Sequence, residues 1–169
     1  MPLSNAKLNA LLQTLARRYA LAAKEALGDR LVGVALFGSV ARGEAGPASD
    51  IDLFVVIEEA PLGMLARRRL LDPARETLTP ELERLWEQAI YADFVEVIRT
   101  RAEARRFHPL YLDMSREAVL LYDRDQFLES LLERVRALLE KGGAERHLMG
   151  RFWYWDLSGT FADGGAVEL

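Results

Sequence analysis

An α/β chain, with strands and helices in the mixed α+β order, is the fold class this sequence predicts. Three observations carry that reading. Two short apolar runs rich in β-branched residues, Leu31 to Phe37 and Asp50 to Ile57, read as buried strands bounded by turn residues. Long stretches near both ends keep helical spacing, and no repeat or structureless linker interrupts the 169 residues.

Each element follows in order. Ser4 caps a helix whose apolar positions Leu8, Leu11, Leu12, Leu15, Tyr19, Ala22, Ala23 and Leu27 recur at helical intervals, and Gly28 ends it; this helix is expected to pack on the sheet. After the second strand, Pro61-Leu62-Gly63 breaks the chain. Residues 64 to 89 read as interrupted helix, stopped or kinked at Pro73 and restarted by Thr79-Pro80 as cap and first-turn proline. Ile90 to Ile98 is the next strand. Thr100 to Glu103 matches a capping box for a short helix that His108-Pro109 ends. Ala118 to Tyr122 adds a strand, and Asp125 to Lys141 is an amphipathic helix closed by Gly142-Gly143.

The tail, Glu145 to Leu169, keeps neither the helical nor the strand period. Phe152, Trp153, Tyr154 and Trp155 stand in a row, and Gly159, Gly164 and Gly165 follow. Four neighbouring rings cannot all enter one core from a regular element. The expectation is an extended arm laid over the domain, with base stacking or homodimerisation as the alternative use of its rings.

Composition narrows the function classes. At 50% apolar and 28% charged, 169 residues bury a core without disulfides, so a single domain over 1–169 is expected. With no cysteine, disulfide and thiolate-metal chemistry are excluded, and a cytoplasmic setting is the natural assignment. No apolar run is long enough to span a membrane, and the N-terminus lacks a signal-peptide core. A net charge of −4 argues against a general nucleic-acid binder, whose affinity rests on a basic surface. Local basic clusters, Arg67-Arg68-Arg69 and Arg99, Arg101, Arg105 and Arg106, read first as solvated helix faces and second as a triphosphate site.

The chemistry concentrates in residues 38 to 53, GSVARGEAGPASDIDL. Side chains two apart on a strand share a face, so Asp50 and Asp52 aim together, their backbones roughly 7 Å apart. Carboxylates at that spacing converge on hard cations, and paired divalent ions about 3.5–4 Å apart are the usual clamp for phosphoryl displacement. Gly38 lets the backbone approach an anion, and Ser39 is placed to cap a short helix whose free N–H groups favour phosphate oxygens. Arg42 either neutralises phosphate or pairs with Glu44.

Gly38, Ser39, ten residues containing Arg42-Gly43, then Asp50 and Asp52 resemble the signature of the DNA polymerase beta-like nucleotidyltransferase superfamily, and within it the minimal, antitoxin-like nucleotidyltransferases of prokaryotes. The motif covers residues 31 to 57, and the order of elements extends the likeness to about residue 100; FHPLYLDM and RFWYWDL add a looser likeness to archaeal and thermophilic members. The resemblance implies a small mixed β-sheet flanked by helices, with a catalytic core over about 28–100 and a C-terminal helix and arm over about 123–169. It also implies a third carboxylate on a later strand. Asp93 and Glu96 are the candidates, on opposite strand faces; Asp93 is preferred because it precedes an apolar run as Asp50 does.

The expected activity is metal-dependent transfer of a nucleoside monophosphate from a nucleoside triphosphate, ATP first, to an acceptor hydroxyl. Asp50, Asp52 and Asp93 would hold two Mg²⁺ ions, and Gly38, Ser39 and Arg42 would contact the nucleotide. A HEPN-type protein is the acceptor the resemblance suggests. The alternatives are an aminoglycoside-like small-molecule acceptor and a catalytically weak nucleotide-binding module. The histidines, His108 and His147, are read as structural.

Overall fold

The computed structural model describes residues 4–150, 152–157 and 169. Helix α1, Asn5–Leu27, begins where Ser4 Oγ accepts the Lys7 N–H and stops at Gly28, whose φ is 56°. Its leucine stripe, with Tyr19, is buried. Strands β1, Leu31–Phe37, and β2, Ile51–Ile57, pair antiparallel with Phe37 opposite Asp52. Strand β3, Phe94–Thr100, runs parallel to β2, and β4, Val119–Asp123, runs antiparallel to β1. The order β3-β2-β1-β4 makes a small mixed sheet.

Alternation along β2 divides the core. Ile51, Leu53, Val55 and Ile57 pack with α1 and with α4, Asp72–Trp86. Phe54 and Val56 pack instead with α6, Leu110–Glu117, and α7, Phe127–Lys141. Asp52 has the parity of Phe54 and Val56, so it lies on the α6–α7 face at the start of its strand.

Several elements differ from the sequence expectation. Pro73 starts a helix rather than stopping one: α3, Met64–Arg69, ends before it, and Pro73 occupies the first turn of α4, where no N–H is needed. Pro80 lies inside α4, and Thr79 is no cap, because its Oγ1 donates back to Arg75 O at 3.1 Å. Packing of Ala74, Leu78, Leu82 and Leu85 outweighs the ~3 kcal/mol that an interior proline costs. The strand expected from Ile90 begins at Phe94, since Ile90 N still donates to Leu85 O at the end of α4.

The capping box forms with both bonds, but its helix α5, Arg101–Ala104, ends before His108. Pro109 leads instead into α6, eight residues too short to show a period. Before α7, Asp125 and Gln126 take φ of 56° and 54°, so the helix starts at Phe127. Asp123 supplies its cap, its two carboxylate oxygens accepting from Leu128 N at 2.8 Å and Glu129 N at 2.9 Å. Asp123→Ala is expected to cost about 1 kcal/mol. In a chain of this size that lowers Tm by roughly 2–4 °C, a shift that calorimetry reads directly.

The tail departs most from the aperiodic reading. Strands β5, Glu145–Met149, and β6, Phe152–Asp156, form an antiparallel hairpin that turns at Gly150, φ 65°. A hairpin resolves the crowding by alternating Trp153, Tyr154 and Trp155 between its two sides. Trp155 faces inward, its Nε1 donating to Asp113 Oδ1 at 3.0 Å, with the Arg116 and Arg146 guanidinium groups over its ring. Trp153 and Tyr154 stay half exposed, Tyr154 stacked on His147. The hairpin is laid over α6; Gly159, Gly164 and Gly165 lie outside the described residues. No helix among the described residues is long and apolar enough to cross a membrane.

Candidate active site

The β1–β2 ladder brings residue 38 against Asp52. Gly38 has φ 73°, and a Cβ built there would stand 2.3 Å from Asp52 Oδ2. Glycine is therefore required twice, by its dihedral angle and by the carboxylate next to it. A short helix α2, Gly38–Arg42, runs on, with Phe37 rather than Ser39 at its N-cap and no side-chain cap bond. The expected cap fails because the helix starts two residues earlier and encloses Ser39. Its hydroxyl makes no hydrogen bond among the described residues.

A buried amide holds this loop in place. Asn9 Nδ2 donates to Val40 O at 3.3 Å, Gln13 Nε2 donates to the same oxygen at 3.1 Å, and Ala45 N donates to Asn9 Oδ1 at 3.1 Å. Helix α1 thus pins both sides of the Gly43 turn, where φ is 79°.

Asp50 is exposed immediately before β2, and Asp52 is half-buried as its second residue. Neither makes a hydrogen bond or ion pair among the described residues. Burial first, and then the Asp50 charge, push the Asp52 carboxyl above the usual carboxylate range, while Arg42 pulls it down. A half-buried anion beside a like charge is costly unless a cation joins it, and two carboxylates offer the hard oxygen donors that Mg²⁺ prefers. The residues fit a divalent ion. Arg42 itself is occupied: Nε donates to Glu44 Oε2 at 2.7 Å and Nη1 to Glu117 Oε2 at 3.0 Å. The pairing with Glu44 is thus present in this structure.

The parallel register sets Val95 beside Asp52, and Ile51 N donates to Asp93 O at 2.8 Å. Asp93 immediately precedes β3, beside the start of β2. Glu96 points to the face opposite to Val95. Its side chain is 0% exposed and accepts from Tyr19 OH at 2.9 Å and Arg75 Nη1 at 2.6 Å. Burial, followed by the Glu96 charge, drives the Tyr19 phenol above its ordinary value. Asp93 is held by Arg75 Nη2, at 3.1 Å to Oδ1 and 3.3 Å to Oδ2. Among the described residues no three acidic, cysteine or histidine side chains are close enough together to hold an ion. Asp50 and Asp52 interact, and Asp93 is engaged elsewhere.

Reading the sequence missed Asn9 and Arg75. Both left a signal: Asn9 breaks the apolar stripe of α1, and Arg75 stands in the row that runs from Leu71, just before α4, to Leu78 and Leu82 within it. The basic clusters are partly spent on internal pairs. Arg67 grips Glu103 through both oxygens at 2.6 and 2.7 Å, and Arg101 meets Glu58 at 3.3 Å. The Arg67 bond draws Glu103 down to about 2. That depressed carboxyl keeps its contribution to stability above the ordinary carboxylate value and loses it only as pH falls through about 2. His108 Nδ1 accepts from Leu110 N at 3.2 Å, and His147 Nε2 lies 3.3 Å from Glu145.

Residues 17–146 match the family model described as "Nucleotidyltransferase domain", and the chain belongs to that family. It is a nucleotidyltransferase. Over 118 residues it is 30% identical to "Putative protein adenylyltransferase MJ1305" of Methanocaldococcus jannaschii, covering 70% of this chain and 76% of that protein. Similar solved structures include a toxin-antitoxin with AMP-PNP, 19% identical with a TM-score of 0.46, covering 75% of this chain and 92% of that one. Another is a tri-AMPylated Shewanella oneidensis HEPN toxin in complex with an MNT antitoxin, 16% identical with a TM-score of 0.40, covering 78% and 92%.

Proposed function

We propose that this nucleotidyltransferase is a protein adenylyltransferase, moving AMP from ATP to a hydroxyl group of a partner protein. The observation that carries the reading is the Asp52 carboxylate, half-buried, without a hydrogen-bond donor and pressed against Gly38 beside a second aspartate. The choice of an adenylyl group and a protein acceptor is supported by the name of the relative that shares 118 residues with this chain. The family resemblance extends the acceptor to a helical HEPN-type partner.

Asp50 and Asp52 would hold Mg²⁺, with Asp93 as a third ligand only once its carboxylate turns from Arg75 toward them; the ion when bound neutralises phosphate oxygens and makes the α-phosphorus more electrophilic. The remaining work falls to this chain's own groups. Gly38 and Ser39 contact the phosphate tail, with the free Ser39 hydroxyl as donor. The acceptor oxygen attacks the α-phosphorus in line, the bond to the α,β-bridging oxygen breaks, and pyrophosphate carries away that electron pair. The acceptor proton passes to Asp93 or to water.

Incubating the purified chain with α-labelled ATP, Mg²⁺ and the protein encoded beside it is expected to transfer label to that protein and release pyrophosphate. EDTA should stop both. Label appearing only on a small-molecule acceptor replaces the protein substrate, and no label on either with intact ATP refutes turnover.

A further inference from the structure

Strand β3 forms one edge of the sheet, and its outward side is closed at both ends. Asp93 O accepts from Ile51 N, so alternate residues from Asp93 onward turn their backbone groups to β2, while Phe94, Glu96, Ile98 and Thr100 turn theirs away from the sheet. At the start of the strand, Phe94 N donates to Asp93 Oδ1 at 2.7 Å, and Phe94 O accepts from Arg75 Nη1 at 2.9 Å. At its end, Thr100 N donates to Glu103 Oε2 at 3.1 Å, and Ile98 O accepts from Arg67 Nη1 at 3.3 Å.

At each end the acid and the arginine are also bonded to each other. Arg75 Nη2 lies 3.1 Å from Asp93 Oδ1, and Arg67 Nη1 lies 2.6 Å from Glu103 Oε2. Two clasps therefore cover one outward N–H and one outward C=O apiece. Both guanidinium groups have further anchors: Arg75 donates to the buried Glu96 at 2.6 Å, and Arg67 to the second Glu103 oxygen at 2.7 Å and to Pro61 O at 2.9 Å. Between the clasps, Glu96 N–H, Glu96 C=O and Ile98 N–H make no hydrogen bond among the described residues.

The two edges of the sheet differ in their need for such cover. Strand β4 is five residues long, and its register with β1 skips Leu121, an irregularity that itself hinders pairing. Strand β3 runs seven residues in unbroken register with β2. Its sequence, Phe94-Val95-Glu96-Val97-Ile98, is rich in strand-favouring residues, and Val95 is exposed. A regular apolar edge of this kind is a template for another strand, and the strand it meets most often is its own copy across a two-fold axis.

We infer that Arg67 and Arg75, with Glu103 and Asp93, are edge guards that keep β3 from pairing with β3 of a second copy of this chain. Asp93 and Glu96 thereby have work that involves no metal: one covers an outward amide, and the other anchors the guanidinium that covers a carbonyl.

The test is sedimentation velocity over a concentration series on the full chain, with amide hydrogen exchange read at positions 96 and 98. Arg67→Ala opens the end of the strand and leaves the Arg75–Glu96 anchor untouched. Arg75→Gln with Glu96→Gln opens its start without stranding a buried charge. The three substitutions together are expected to tighten self-association at least about tenfold, the gain that two or more new main-chain hydrogen bonds supply, and to slow exchange at 96 and 98 as concentration rises. Arg67→Ala alone should shift both readings in the same direction. Adding Val95→Lys places a charge on the opened edge and should restore wild-type association, whereas association caused by loss of the fold would persist. Variants that sediment as wild type does, or that associate without protection at 96 and 98 or in spite of Val95→Lys, overturn the inference.

Discussion

Asparagine at positions 50 and 52 together is expected to lower label transfer from ATP by at least about a thousandfold, ~4 kcal/mol of barrier, and to raise Tm. The two effects have one cause. Asparagine keeps the size of aspartate and removes its charge, so the fold is spared while the donors for a cation are lost. In the metal-free protein those charges are a burden: Asp52 is half-buried, has no hydrogen-bond donor and feels Asp50. A carboxyl raised above its ordinary value binds protons more tightly folded than unfolded. Stability of the metal-free chain therefore falls as pH rises through the interval between the two values, and the ionised form is the less stable one. The paired substitution should move Tm upward at neutral pH. Calorimetry and a radiolabel assay on the same preparation read both. Transfer retained within tenfold of wild type, with an unchanged Tm, removes these two residues from the site.

What could be read from the chain alone followed from local physics. β1 and β2 were legible because each is an apolar β-branched run with a turn on either side, and Asp52 was legible because an acid at the head of such a run demands a reason. Ser4, Gly28 and the Thr100–Glu103 box mark helix ends through hydrogen bonds within three or four residues. The misreadings occur where distant packing decides. Pro80 is tolerated inside α4 because that helix packs along α1, a contact between residues some sixty positions apart that no local propensity reports. The β5–β6 hairpin escaped notice because its two strands are five residues each and its rings are satisfied by α6, through Trp155 and Asp113. Arg75 was hidden for the same reason: an arginine in an apolar row has meaning only once Glu96 is seen across from it.

Gly38→Ala is expected to reduce transfer by at least about a hundredfold and to destabilise the fold by about 1–3 kcal/mol, the range for a residue forced into strain or overpacking. Two costs combine. The φ of 73° is one that a Cβ resists, and the added methyl would meet Asp52 Oδ2 at 2.3 Å, so either the loop or the carboxylate must shift. The β1–β2 ladder pairs Phe37 with Asp52, which leaves the backbone little freedom to yield. Gly43 separates the two contributions. Its φ is 79°, but nothing lies within 4 Å of the Cβ it would gain, so Gly43→Ala should lose comparable backbone energy and retain most of its transfer activity. A second comparison isolates the carboxylate: adding Asp52→Ala to Gly38→Ala removes the obstacle, and urea titration should recover part of the lost stability although activity stays absent. Equal loss of activity in the Gly38 and Gly43 variants would mean that the loop acts through its fold alone, and that the close approach of Gly38 to Asp52 has no part in binding the nucleotide.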